Sequence, residues 1–163
     1  MDRPDSPIIE ASVTIERPVG LVYAFYRDFN NLPSFLGDVM AIEAIDPSTS
    51  RWTIQGPLKI SLRWTVEATE AVENILIRYQ TLAPPRRQIR WDIHFAPGPA
   101  DGETMVREVM HTPLGTMGLK LMAWIGKPPA KEMAANLNRL KEVLETGRVS
   151  NRSYAVPGKF QDS

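Results

Sequence analysis

Between Leu58 and Ala68 apolar and polar residues alternate without interruption. Leu58, Ile60, Leu62, Trp64 and Val66 fall on one side, and Lys59, Ser61, Arg63, Thr65 and Glu67 on the other. A period of two is that of a strand with one dry and one wet face. The same pattern predicts strands over Ile8–Glu16, Val39–Ile45, Arg51–Gln55, Ile75–Leu82, Gln88–Phe95 and Glu103–His111. Turn-formers separate them, among them Asp46-Pro47-Ser48, Ala83-Pro84-Pro85 and Asp101-Gly102. About seven strands with one-sided patterning imply an antiparallel sheet wetted on one face.

Two stretches carry a helical period instead. Val19–Arg27 spaces Val22, Phe25 and Tyr26 for a short helix behind Pro18, and Leu32–Leu36 opens a second with Pro33 in its first turn, after a turn at Asp28–Asn31. Near the other end, Ala130–Gly147 repeats Met133, Leu137, Leu140 and Leu144 at steps of four, three and four. Lys131, Glu132, Asn138, Arg139, Glu142 and Glu145 fall mostly on the opposite face, and Gly147 is placed to end the helix in a left-handed cap. Such a rod spans about 27 Å, enough to cross a small sheet. Pro113–Ile125 also tends towards a helical period, interrupted by Gly126-Lys127-Pro128-Pro129. The expected organisation is a lead-in at 1–7, one domain over 8–147 and an irregular polar tail at 148–163.

Composition narrows the function classes. Formal net charge is zero and 43% of residues are hydrophobic, which gives no basic field for nucleic acid. Cysteine is absent, so thiolate chemistry and disulfides are excluded. No secretory h-region or membrane-length apolar run is visible, so a cytoplasmic location is expected. The two histidines have no ligand-spaced partners, and neither a metal nor a cofactor is expected. Arg86-Arg87 with Arg90 reads as a solvated strand edge, or as a transient contact with an anionic membrane surface.

The stretch ERPVGLVYAFYRDFNNLPSFL (Glu16–Leu36), SRWTIQGP (Ser50–Pro57), the Trp64 strand and LKEVLETG (Leu140–Gly147) resemble the polyketide cyclase/dehydrase and lipid transport branch of the START-like (SRPBCC) superfamily, a group that includes coenzyme-Q-binding proteins. The resemblance implies an α+β helix-grip fold: a curved antiparallel sheet wrapped around a long C-terminal helix, with two short helices after the first strand. It also implies a cavity between sheet and helix for a hydrophobic small molecule such as a lipid, isoprenoid quinone or polyketide-like aromatic. The expected wall comprises Trp52, Ile54, Leu62, Trp64, Ile77, Tyr79, Trp91, Ile93 and Phe95, with Leu58, Ile60, Ile75 and Ile89 from the same strand faces. Met133, Leu137 and Leu140 close it from the helix, with Phe35 and Leu36 near the mouth. The same residues would equally fill a solid core.

The last strand decides where ionisable groups go. If Thr104, Val106 and Met110 face inward, Glu108 follows them; if Met105 and Val109 do, Arg107 and His111 follow. We take the first register, with an arginine or Tyr79 satisfying Glu108. Three functions remain open on this reading. The first is a carrier whose Leu32–Gly37 or Gly126–Pro129 segment gates exchange. The second is a cyclase or dehydratase moving protons with Glu108, Tyr79 or His111. The third is a protein-interaction module. Oligomeric state is not legible.

Overall fold

The alternating segments form one seven-stranded antiparallel sheet in the order β1-β7-β6-β5-β4-β3-β2. The computed structural model describes residues 8–83, 88–112 and 128–161. The lead-in, the Arg86-Arg87 pair, the helical period of Pro113–Ile125 and Gly126-Lys127 lie outside these residues. The strands are β1 (Ile8–Ile15), β2 (Val39–Ala44), β3 (Thr49–Gln55), β4 (Ser61–Val72), β5 (Leu76–Thr81), β6 (Arg90–Pro97) and β7 (Thr104–His111). From β2 to β7 each strand pairs with its neighbour in sequence, and β1 pairs with β7.

Pro18 ends β1 and starts α1 (Val19–Arg27), which buries Val22 and Tyr26. The second short helix is a 3-10 turn, Phe29–Ser34, so it begins three residues before the expected Leu32. Asp28 caps it by accepting from the Asn30 backbone N–H at 3.0 Å. The expected turn at Asp28–Asn31 is therefore the start of this element.

The expected strand at Leu58–Ala68 needs correction. Pro57–Lys59 form a 3-10 turn, Leu58 and Lys59 have φ of 57° and 60°, and the strand starts only at Ser61. Left-handed backbone at two successive residues breaks the pleat, so the alternation of Leu58, Ile60 and Leu62 no longer maps onto one face. Leu58 is 92% exposed, and Ile60 and Leu62 also lie open to solvent. Ile75, outside β5, is exposed as well.

The sheet is strongly curled. Trp52 on β3 and Trp91 on β6 are three strand spacings apart, roughly 14 Å in a flat sheet. Their rings nevertheless meet at 5.7 Å, inclined at 70°. A bulge in β4 between Ala68 and Glu70 adds local twist to this curl.

The C-terminal helix α2 (Pro129–Thr146) lies in the concave face and packs along β1. Pro129 stands at its first position, and Gly147 ends it at φ 76°, donating to the Val143 carbonyl at 3.0 Å. Met133, Leu137 and Leu140 are buried, with Leu144 packed against the core. The architecture is α+β and helix-grip.

Arg139, assigned to the outer face from its spacing, is fully buried. It does point away from the sheet, but the tail folds back over it. Its Nε donates to the Phe35 carbonyl at 2.8 Å, and Nη1 donates to the Ser153 and Asn151 carbonyls at 2.7 and 3.3 Å. Nη2 donates to Asn136 Oδ1 at 2.5 Å, and the guanidinium lies 5.3 Å from the Phe160 ring centroid. Val149 and Phe160 are buried by the same return. Gly37 permits it: a Cβ there would stand 2.6 Å from Arg139 Nη2 and 2.9 Å from the Tyr154 carbonyl oxygen. The helix is thus held between the sheet and the tail.

Candidate functional site

A cavity of about 150 Å³ lies between the curled sheet and the first half of α2. Three tryptophans supply much of its wall: Trp52 from β3, Trp64 opposite it on β4, and Trp91 from β6. The Trp52 indole N–H donates to Ser50 Oγ at 2.8 Å, which fixes the ring in place. Leu36, Val39, Ile54, Ile89, Met110 and Met133 add apolar surface.

Among the described residues the polar lining consists of Tyr26, Asp38, Glu108, Thr112, Glu132 and Asn136. Glu108 sits in β7 between inward Val106 and Met110, opposite Ala11 of β1 and Ile93 of β6. It is 7% exposed. Burial, and secondarily the Asp38 carboxylate, push its pKa up to about 8. Neither an arginine nor Tyr79 hydrogen-bonds it among the described residues, contrary to the expected pairing. The buried Tyr26 hydroxyl is held well above its ordinary pKa, by desolvation first and by Glu108 second. At neutral pH the two groups nearest this end of the cavity are therefore a protonated acid and a phenol.

Asp38 comes from the loop between the 3-10 turn and β2, and this loop is anchored from three sides. The Gly37 N–H donates to Asn136 Oδ1 at 2.9 Å, and the Gly37 carbonyl accepts from the Val156 N–H at 2.9 Å. The Asp38 carbonyl accepts from the Gln55 N–H at 2.9 Å. From the tail, Lys159 donates to the Leu36 and Val39 carbonyls. The Leu32–Gly37 segment, expected to act as a gate, is pinned at Phe35 and Gly37 in this way.

Of the expected wall, Trp52, Ile54, Trp64, Ile89, Trp91, Glu108 and Met133 line the cavity, as does Leu36. Ile77, Tyr79, Ile93, Phe95, Phe35, Leu137 and Leu140 are buried in the packed core around it instead. Tyr79 stacks obliquely on Trp91 at 5.6 Å and edge-on to Trp52 at 6.3 Å, and its hydroxyl has no hydrogen-bond partner among the described residues. Burial raises its pKa far above the usual phenol value. Leu62 is 38% exposed and outside the lining, as are Leu58, Ile60 and Ile75. His111 follows Met110 by one residue and so faces outward, paired with Arg90, not towards the cavity mouth. His94 is on the outer face too, partly covered, and desolvation followed by Arg107 lowers its pKa.

The pattern missed Tyr26, Asp38, Glu132 and Asn136. Glu132, assigned to the face opposite the stripe, lines the cavity together with Asn136 four residues on, because both flank Met133 at the edge of the stripe. Asp38 lies in a loop without periodicity, and nothing in its neighbourhood flags it. Among the described residues no group of His, Cys, Asp and Glu side chains is placed to hold a metal ion, and no helix is long and apolar enough to cross a membrane.

Residues 6–145 match the family model for polyketide cyclase/dehydrase and lipid transport proteins. No curated protein matches the chain. Solved structures do: a Deinococcus radiodurans protein at 24% identity superposes with a TM-score of 0.67 over 86% of this chain and 99% of its own. A START superfamily protein from Mycobacterium smegmatis is 14% identical, with a TM-score of 0.62 over 82% of this chain and 98% of its own. Truncated norcoclaurine synthase from Thalictrum flavum is 12% identical, with a TM-score of 0.65 over 90% and 99%. At these identities the likeness is one of fold.

Proposed function

Because the chain belongs to the polyketide cyclase/dehydrase and lipid transport family, we propose that it binds a small, mainly apolar molecule between the sheet and α2, with its polar end at Glu108. The observation that carries this reading is a cavity walled by three tryptophans and lined by Glu108, a buried acid that accepts no hydrogen bond from the described residues. A buried polar group left unmade costs about 1–3 kcal/mol, which a ligand able to bond it recovers. The volume bears on ligand size. About 150 Å³ suits a body no larger than one aromatic ring, whereas drug-sized ligands occupy roughly 300–1,000 Å³. Among lipids, isoprenoid quinones and polyketide-like aromatics, a ring-sized portion fits as it stands, and a longer chain requires the walls to part.

Titration with benzene, toluene and a short-chain lipid, followed by tryptophan fluorescence excited at wavelengths that the probes do not absorb, tests the reading. Saturable quenching that weakens in Trp91→Phe supports it. Unchanged emission with all three, and no thermal stabilisation, would remove it. A second reading, acid–base catalysis on a poly-carbonyl substrate, is favoured by one observation: a carboxyl group with a pKa of about 8 is suited to proton transfer near neutrality. Turnover of such a substrate that disappears in Glu108→Gln while binding persists would distinguish it.

A further inference from the structure

We propose that the turn joining β3 to β4 is a docking tip for an anionic lipid bilayer, with Leu58 and Ile60 entering the interface and Lys59 and Arg63 meeting the headgroups. The tip lies outside the cavity, and its docking stands or falls separately from the binding reading above.

Three observations carry it. The first is apolar exposure gathered on one short turn. Leu58 is 92% exposed, Ile60 55% and Leu62 38%. The turn is nonetheless closed: the Gly56 N–H donates to the Ile60 carbonyl at 2.7 Å, and a Cβ at Gly56 would stand 3.2 Å from Leu62 Cδ1. The second is the backbone. Leu58 and Lys59 hold φ of 57° and 60°, a region in which side chains are strained and glycine is not. With nearly all of its surface open, Leu58 has no packing to offset that cost. Strain kept for a side chain that touches little of the protein points to a contact outside it.

The third observation is charge, and it selects the partner. From Thr53 to Thr65 the only charged residues are Lys59 and Arg63. Both are exposed, and neither makes an ion pair or hydrogen bond among the described residues. Asp38, whose carbonyl accepts from the Gln55 N–H beside this turn, lines the cavity and interacts electrostatically with Arg139 and Lys159 instead. Exposed aliphatic side chains interleaved with free cations match an anionic bilayer, which takes the first into its acyl boundary and the second among its headgroups. A second copy of the chain docked tip to tip would set these cations against like charge. The tip is also continuous with the cavity wall. Leu62 stands opposite Ile54 and Trp64 opposite Trp52, and Ile54, Trp64 and Trp52 line the cavity. Cross-strand partners share a face, so Leu62 extends that wall outward to the turn.

Flotation with vesicles of phosphatidylcholine alone, and of phosphatidylcholine and phosphatidylglycerol at about two to one, tests the docking. The expected result is association with the anionic vesicles that weakens as salt is raised. Leu58→Asp should abolish it, and Lys59→Glu with Arg63→Glu should weaken it about tenfold. Leu58→Gly separates docking from folding: it should lose the vesicles while its urea midpoint stays at or above that of the wild type. A lower midpoint would show that Leu58 supports the fold, and overturns the inference. Because the chain has no cysteine, Leu58→Cys carries a single environment-sensitive dye, whose emission should shift to the blue on anionic vesicles. The same dye on Ile75→Cys, also exposed but beyond the other end of β4, should not shift. Absence of association by the wild type overturns the inference. Association that survives Leu58→Asp and is lost in Arg86→Glu with Arg87→Glu overturns it as well. A dimer that Leu58→Asp dissociates overturns it too, and assigns the tip to a second copy of the chain. None of these outcomes touches the cavity, which fails only with the benzene, toluene and lipid titrations.

Discussion

Arg139 and Glu108 are both buried ionisable residues, Glu108 between sheet and helix and Arg139 between helix and tail, and their surroundings are opposite. Arg139 makes hydrogen bonds through Nε and both terminal nitrogens and lies on the Phe160 ring. Glu108 has none among the described residues, and burial raises its pKa to about 8. A buried charge with satisfied donors is part of the frame, because removing it strands its partners. A buried acid with open lone pairs beside an apolar cavity is a cost to the empty protein, and such costs collect at binding and catalytic sites. The contrast sets a satisfied buried charge against an unsatisfied one within a single small fold.

The largest effect should come from breaking the satisfied side. Arg139→Ala leaves the Phe35 and Ser153 carbonyls without their donor and loosens the tail, which Val156 and Lys159 still tie to the Asp38 loop, for a loss of about 3–5 kcal/mol in urea unfolding. A loss below about 1 kcal/mol would show that the tail holds without it.

Glu108→Gln acts in the opposite direction. A carboxyl whose folded-state pKa is raised from 4.5 to about 8 binds a proton more tightly in the folded chain than in the unfolded one. Its favourable contribution is complete below about pH 4.5 and is lost as pH rises through 8. The wild type should therefore lose stability over that window, by an amount on the order of 3 kcal/mol at pH 7, and Glu108→Gln should flatten the slope. Urea midpoints at pH 5 and pH 8 check this; parallel pH profiles for the two proteins would refute a raised Glu108.

Ser50→Ala tests a neutral version of the same contrast. It removes the acceptor of the buried Trp52 N–H, so a loss of about 1–2 kcal/mol is expected, with altered Trp52 emission. Last comes the exposed ion pair of Arg107 with Glu10 at 3.0 Å. Both side chains are half exposed, so Arg107→Ala should change the midpoint by less than about 0.5 kcal/mol. A larger loss there would mean that exposure is a poor guide to where this fold stores stability.

Most of the frame was legible because it rests on side-chain periodicity. Alternation located all seven strands to within a few residues, and the four-three-four spacing located α2. The inward parity of β7 followed from Val106 and Met110 flanking Glu108. The failures have physical reasons. At Leu58–Leu62 the alternation continues on paper, but the backbone turns left-handed at Leu58 and Lys59, and composition does not report that. Arg139 looked solvated because its spacing gives only its direction from the sheet. Its cover is a tail held largely through backbone carbonyls, which carry no sequence pattern. Asp38 enters the site through a loop fixed by those same bonds, so it escaped for the same reason.

The pairing of β1 with β7 bears on the route by which this protein folds. Every other pairing in the sheet joins strands adjacent in the chain, so β2 to β7 can form by successive short closures. The β1–β7 ladder, from Ile8↔His111 to Ile15↔Thr104, joins the first and last strands in chain order and requires the longest closure. Helix α2 packs chiefly along β1, so it gains its main support only once that ladder closes. Glu108 lies in the ladder, opposite Ala11. The cavity is thus completed by the longest closure, and the first strand acts as a clasp: Val13→Ala should slow formation of the cavity more than that of the β2–β7 sheet, which stopped-flow refolding followed by tryptophan emission and by far-ultraviolet circular dichroism would check.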